Sequence, residues 1–357
     1  MEKYIFVLGR DNELSILELT SFLEARNINF DVEYRDDQYV VVSLERFDFS
    51  IREFGGITKI AKVILENINN EEIEYELNRI TFDYGNKIRY SINGDNFLRD
   101  YFKERFKHEG VKAYLKSDVS RPSDSLRLDF EILRVKNFIG RIIQVSNPEE
   151  YKKRDEKRPR FDEKRVISIR LAKILINISK AKTEILDPFC GTGTILQEAL
   201  LKHMDAIGVD KDAKDAEMNL KWLAVNFDIK NKYKLVNGDA RELSKYIDKT
   251  ECVVTEPYLG PFMKEGYNKE LVLRLKEELT RLYRDFLCEA DKIVRGRIVL
   301  IAPVFKIKRD FVKLDMNDIL RNTKFSAYKS EYGKIPVIYS PHRTRLIREI
   351  WILERFK

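Results

Sequence analysis

An α/β fold, with an open sheet in the C-terminal half preceded by small α+β modules, is the class this sequence predicts. Three observations carry it. Strand-like runs at 184–187, 203–210, 233–239 and 251–254 are separated by helical patterns, the alternation that builds a parallel, Rossmann-like sheet. The first of these runs passes straight into a glycine turn and a helix, Asp187-Pro188-Phe189-Cys190-Gly191-Thr192-Gly193-Thr194. The first 70 residues instead read β-α-β-β-α-β, the order of a ferredoxin-like module.

Composition narrows the function. A chain of 357 residues with 43% hydrophobic content forms two or three packed domains. No apolar run is long enough for a membrane helix, and the charged N-terminus does not resemble a signal peptide. Three cysteines without a CxxC pair and three histidines give no metal-site spacing, so no metal is expected and the chain reads as cytoplasmic. The net charge of +7 favours a polyanionic partner, while 35% charged residues also suits a merely soluble surface.

Along the chain, 4–8 is a short strand and Leu14, Leu17, Leu19, Phe22 and Leu23 recur at near-helical spacing. Residues 30–34 and 39–44 pair across a polar turn, and 60–65 closes the first module, 1–70. A second module, 71–146, has strand candidates at 87–92, 111–115 and 138–145 and a charged helix at 96–108. Neither module carries a catalytic constellation. Residues 147–166 have linker composition, rich in Lys and Arg with two prolines. Arg154, Arg158 and Arg160 there are candidate phosphate contacts. The final domain is 167–357, with a long helix at 268–294, a buried strand at 296–303, and last strands at 336–339 and 346–353. A basic loop with Arg343 and Arg345 lies between those last strands and is a further candidate phosphate contact.

The glycine turn is where an α/β sheet binds a nucleotide-like ligand. A dinucleotide site would place a third glycine where Leu196 stands, and a phosphate loop would need a lysine. The acidic Asp187 repels phosphate and suits a ligand bearing an ammonium group, such as S-adenosylmethionine. Asp210 ends the second strand, positioned for ribose hydroxyls. Asp239, followed by Ala240, ends the third and meets an adenine amino group. Phe189, Gly191, Gly193 and Thr194 complete the candidate cofactor set. The fourth strand runs into Thr255-Glu256-Pro257-Tyr258.

This pattern resembles amino-group methyltransferases, whose fourth strand ends in Asp/Asn-Pro-Pro-Tyr/Phe. The whole chain resembles the THUMP-containing tRNA guanosine N2-methyltransferases. The likeness runs from Tyr4–Leu17 through Lys153-Arg154-Asp155 to Pro159 and Asp162, the Asp187 motif, and His342-Arg343-Thr344-Arg345. It implies a ferredoxin-like domain, a tRNA-gripping THUMP domain, and a Rossmann-like domain that binds S-adenosylmethionine and methylates the guanosine at position ten. Eukaryotic relatives work with a small activator protein, so such a subunit is a candidate partner beside tRNA.

The sequence departs from the family at one point. Thr255 occupies the Asp/Asn position and Glu256 the first proline. An exocyclic amine is a poor nucleophile because its lone pair is delocalised, so an acceptor must hold it in line with the methyl group. Glu256 is the favoured acceptor, Thr255 the uncharged alternative, and Tyr258 would stack on the base. DNA or other RNA amines as target, and a tRNA-binding homologue without turnover, stay open at this point.

Overall fold

The computed structural model describes residues 1–66, 70–117, 119, 121–161, 167–261, 267–340 and 347–356. The chain divides into two compact units, Met1–Asn12 with Asn27–Lys153, and Glu13–Arg26 with Arg154–Lys357.

The elements in order are β1 (Glu2–Leu8), α1 (Asn12–Ala25), β2 (Phe30–Arg35), β3 (Tyr39–Leu44), β4 (Ile57–Glu66), α2 (Asn70–Arg79), β5 (Lys87–Asn93), α3 (Asn96–His108), β6 (Lys112–Leu115), α4 (Pro122–Ser125), β7 (Phe130–Val135), β8 (Phe138–Val145) and α5 (Pro148–Lys157). Then follow α6 (Ile169–Ser179), β9 (Glu184–Asp187), α7 (Thr194–Leu201), β10 (Asp205–Asp210), α8 (Lys214–Asn226), β11 (Tyr233–Asn237), β12 (Cys252–Thr255), α9 (Lys269–Ile293), β13 (Ile298–Ile307), β14 (Asp310–Lys313), α10 (Met316–Leu320), β15 (Phe325–Ala327), β16 (Val337–Tyr339) and β17 (Ile347–Arg355).

The first unit carries one eight-stranded sheet, ordered β2-β3-β1-β4-β8-β7-β5-β6. The two small modules read from the sequence are therefore joined edge to edge, because β4 pairs antiparallel with β8. Ile5, Val41, Ala61, Leu133, Val135 and Phe138 pack as one cluster across that seam. A second cluster gathers Phe82, Phe102, Phe106 and Phe130 around α3 and β5. Strand β7, which the sequence reading passed over, lies between β5 and β8.

Helix α1 was expected to complete the first module, yet its residues group with the second unit. Ten of its fourteen residues are buried, Ser15, Glu18, Thr20 and Ser21 among them, so burial runs around most of the helix rather than along one apolar face. Leu14 and Leu17 join the second unit's core, and Glu18 accepts a 2.8 Å hydrogen bond from Asn177.

In the second unit the sheet order is β11-β10-β9-β12-β13-β17-β15. Strands β9 to β13 pair in parallel, and β17 runs antiparallel against β13 and β15. The chain moves outward from β9 through β10 to β11, then returns to place β12 on the other side of β9. That reversal is the switch point where ligands bind at the strands' carboxyl ends. Strands here are continuous apolar runs because both sheet faces are covered: Val253, Val254, Val299, Leu300 and Ile301 are fully buried.

The stretch expected as linker is partly helical. Pro148 opens α5, Glu149 and Glu150 lie in its first turn, and Arg154 and Lys157 in its last, a placement that complements the helix dipole.

Candidate functional site

The site is built at the β9–β12 junction of the second unit. Strand β9 ends at Asp187, and the loop behind it folds tightly. Cys190 donates its amide to Val209 O at 3.1 Å, and Gly193 donates to Cys190 O at 2.7 Å. Gly193 begins α7 with φ +77°, where an added Cβ would stand 3.2 Å from Ala216. The position therefore needs glycine both for its dihedral and for close approach to α8. Gly191 is also left-handed, at φ +48°, but faces open space.

Asp187 is 2% exposed. Its Oδ1 accepts the Thr255 hydroxyl at 2.7 Å and the Phe189 amide at 3.2 Å. Burial pushes its carboxyl up to about 7, with Asp210 and Glu256 adding repulsion, while the two hydrogen bonds pull it down. Asp210, at the end of β10, accepts from the Gly191 amide at 2.9 Å and from the Asp212 amide at 3.1 Å. It thus ties the glycine loop to the next strand. Asp239 accepts from the Arg241 amide and caps the short turn Ala240–Lys245. The Arg241 guanidinium grips both carboxylate oxygens and holds the group well below the usual carboxylate range. Ala240 is buried beside it. The structure thus sets Asp187 and Asp210 at the ends of β9 and β10 and Asp239 two residues past β11, along three neighbouring parallel strands.

The fourth-strand loop adjoins the first of them, because β12 pairs with β9. Thr255 is fully buried and its hydroxyl is given to Asp187, so it points into the sheet rather than toward a substrate. Glu256 is ion-paired instead: Arg348 Nε donates to Oε1 at 2.6 Å, and the two side chains are 14% and 13% exposed. Pro257 is buried, and Tyr258 is 53% exposed. Phe189 packs edge-on against Phe286 of α9, centroids 5.4 Å apart.

The arginines expected to contact phosphate divide. Arg154 pairs with the buried Glu198 of α7. Arg158 is 5% exposed and donates to Thr194 Oγ1 at 2.8 Å, with Asp155 Oδ1 3.2 Å from its other terminal nitrogen. Its Nε and Nη2 find no hydrogen-bond acceptor among the described residues. Both side chains are turned inward against α7, whereas the sequence offers them as candidate phosphate contacts. Arg160 alone of the three is exposed, 3.3 Å from Asp215. Its backbone is held by Asn219, which also donates to Thr192 O in the glycine loop at 2.9 Å. Arg343 and Arg345, and Asp162, lie outside the described residues. Arg348 was missed in the sequence, since nothing local to β17 ties it to the β12 loop.

No helix among the described residues is long and apolar enough to cross a membrane.

Residues 157–335 match UPF0020, an RMKL-like methyltransferase domain. Over 322 residues the chain is 28% identical to the tRNA (guanine(10)-N2)-dimethyltransferase of Methanothermobacter thermautotrophicus, spanning 85% of this chain and 89% of that one. A relative of the same name from Pyrococcus abyssi is 28% identical over 333 residues, spanning 89% and 92%. The crystal structure of TrmN from Thermus thermophilus shares the fold, with TM-score 0.54 at 16% identity, covering 99% of this chain and all of that one.

Proposed function

The chain belongs to the UPF0020 family of RMKL-like methyltransferase domains, and from this premise we propose that it is an S-adenosylmethionine-dependent enzyme methylating the N2 amine of guanosine 10 in tRNA. The observation that carries the reading is the row of Asp187, Asp210 and Asp239 along the carboxyl ends of β9, β10 and β11, with Asp187 joined to Thr255 of the fourth-strand loop at the sheet's switch point.

The residues present fit this cofactor. The left-handed Gly191 opens onto free space that a Cβ would fill. The donor set is acidic, which suits an ammonium group and ribose hydroxyls and disfavours phosphate. Asp187 with the Gly191–Gly193 loop would hold the methionine part, Asp210 the ribose, and Asp239 with Ala240 the adenine. When bound, S-adenosylmethionine would supply the methyl group, with its thioether sulfur as the leaving group.

The protein's own contribution is positioning. Glu256 accepts a hydrogen bond from the N2 amine and takes the proton released as nitrogen is methylated. Tyr258 stacks on the splayed base. Pro257 stiffens the loop between them. The N-terminal modules supply tRNA affinity, residues 71–146 as a THUMP-like domain, and Arg160, Arg343 and Arg345 stay as phosphate contacts in this reading. The setting is cytoplasmic.

Methyl transfer from labelled cofactor to unmodified bulk tRNA, with genomic DNA in parallel and nucleoside mass spectrometry as readout, tests this. N2-methylated guanosine in tRNA is expected, carried to the dimethyl form named for the archaeal relatives. Label in DNA or in another nucleoside would move the target. Intact cofactor binding without label would mark a tRNA-binding protein, and label appearing only when cell extract is added would bring in an activator subunit.

A further inference from the structure

We infer that Arg348 is a positioning residue for methyl transfer, fixing Glu256 as the acceptor of the substrate amine. The inference rests on the amino-methyltransferase reading above.

The acceptor charge at this loop has moved by one residue. The side chain at 255 is fully buried and committed to Asp187. Strand β12 ends at Thr255, so a carboxylate at 256 lies in the loop and is not aimed by the strand's ladder. It needs an anchor of its own to present an oxygen in one place.

Strand β17 provides that anchor because it is antiparallel. The parallel strands offer the C-terminal edge of the sheet only their ends. An antiparallel neighbour offers its beginning. Arg348 is the second residue of β17 and pairs with Pro303 of β13. Thr255 of β12 pairs with Leu300 of β13, so the register brings Arg348 to the same edge as Glu256.

The contact is one-sided. Nε binds Oε1 at 2.6 Å, and Oε2 accepts no hydrogen bond among the described residues. One oxygen is held while the other keeps its lone pairs for the amine. A charge-assisted bond with both side chains mostly buried is stronger and more directional than a surface pair. A carboxylate hanging from three rotatable bonds would otherwise lose alignment, and misplacement by about 1 Å costs on the order of a hundredfold in rate.

The test compares the full-length chain with Arg348→Gln, Arg348→Lys, Glu256→Gln and the Arg348→Gln/Glu256→Gln pair. Turnover and KM on tRNA are measured, together with the Kd of S-adenosylhomocysteine and the melting temperature. Arg348→Gln should lower kcat by about 10- to 100-fold and leave the Kd within about twofold. Arg348→Lys should recover part of the loss, since it restores a cation without the planar donor geometry. In the Glu256→Gln background, Arg348→Gln should add less than about twofold, because the two act as one unit.

Unchanged kcat in Arg348→Gln would overturn the inference. So would a parallel fall of kcat, cofactor affinity and melting temperature, or an equal loss in both backgrounds. Should Arg348→Gln not fold, Arg348→Lys decides: a kcat equal to wild type refutes the geometric role. A wild-type chain that transfers no methyl to tRNA refutes the underlying reading, whereas an active wild type with indifferent variants refutes only the role of Arg348.

Discussion

Thr255 and Asp187 are joined by a 2.7 Å hydrogen bond, hydroxyl to carboxylate, across the point where the strand order of the sheet reverses. The bond closes the base of the cofactor site and sets its charge. Burial lifts Asp187 to about 7 against an ordinary value of 3.8, and Thr255 opposes that lift. A carboxyl raised on folding favours its neutral form in the native state. Its contribution to stability is full below about 4 and is lost as the pH rises through about 7. A bound ammonium group favours the opposite form. Affinity for S-adenosylhomocysteine should therefore climb between about pH 6 and 8. Thr255→Val should move that climb to higher pH, and Asp187→Asn should flatten it. Calorimetric titration across the range checks all three, and a flat wild-type profile would remove Asp187 from ammonium binding.

The sequence exposed what is local. The glycine turn, the strand-end acids and the Pro-Tyr loop each lie within one strand-to-helix passage, so spacing alone reveals them. It could not reveal partners supplied from afar. Glu256 and Arg348 are 92 residues apart. Arg154 and Arg158 find Glu198 and Thr194 across 44 and 36 residues, and a charged stretch looks the same on paper whether its guanidinium groups are solvated or buried. The edge-to-edge joining of the N-terminal modules is equally hidden, since both faces of β4 and β8 read the same with or without a neighbour.

Arg158 and Arg160 should separate cleanly on substitution. Arg158 is buried against α7, so Arg158→Ala removes the cation beside Asp155. It should destabilise the chain by up to about 3 kcal/mol and leave the salt dependence of tRNA binding alone. Arg160 is exposed. Arg160→Glu should cost little stability and lower the slope of log K against log salt by about one. Urea unfolding and binding isotherms at several salt concentrations give both numbers. A changed slope in Arg158→Ala would return that residue to the RNA interface.

Tyr258 carries its ring at 53% exposure beside a buried proline. An aromatic this accessible, next to the candidate acceptor, has little packing to lose. Tyr258→Ala should leave cofactor affinity and melting temperature close to wild type. It should weaken the productive tRNA complex by about 1–3 kcal/mol, the range for one base stacked on an aromatic ring. Tyr258→Phe should retain most activity, because stacking uses the face and not the hydroxyl. Equal losses of cofactor binding and turnover in Tyr258→Ala would make the ring structural.

Asp210 does two things that one substitution cannot separate. Its Oδ2 holds the Gly191 amide at 2.9 Å and its Oδ1 the Asp212 amide at 3.1 Å, and in the proposed site it also receives the ribose hydroxyls. Asp210→Ala should weaken S-adenosylhomocysteine binding by at least tenfold, or about 1.4 kcal/mol, through either route. Asp210→Asn keeps one carbonyl oxygen for the Gly191 amide and loses the carboxylate that accepts from two hydroxyls. If the ribose contact dominates, the Asn variant binds nearly as poorly as the Ala variant. If loop anchoring dominates, it recovers most of the affinity. Binding of adenosine alone, which carries the ribose but not the methionine that the glycine loop would hold, distinguishes these cases. It should fall in both variants under the first account and stay unchanged under the second.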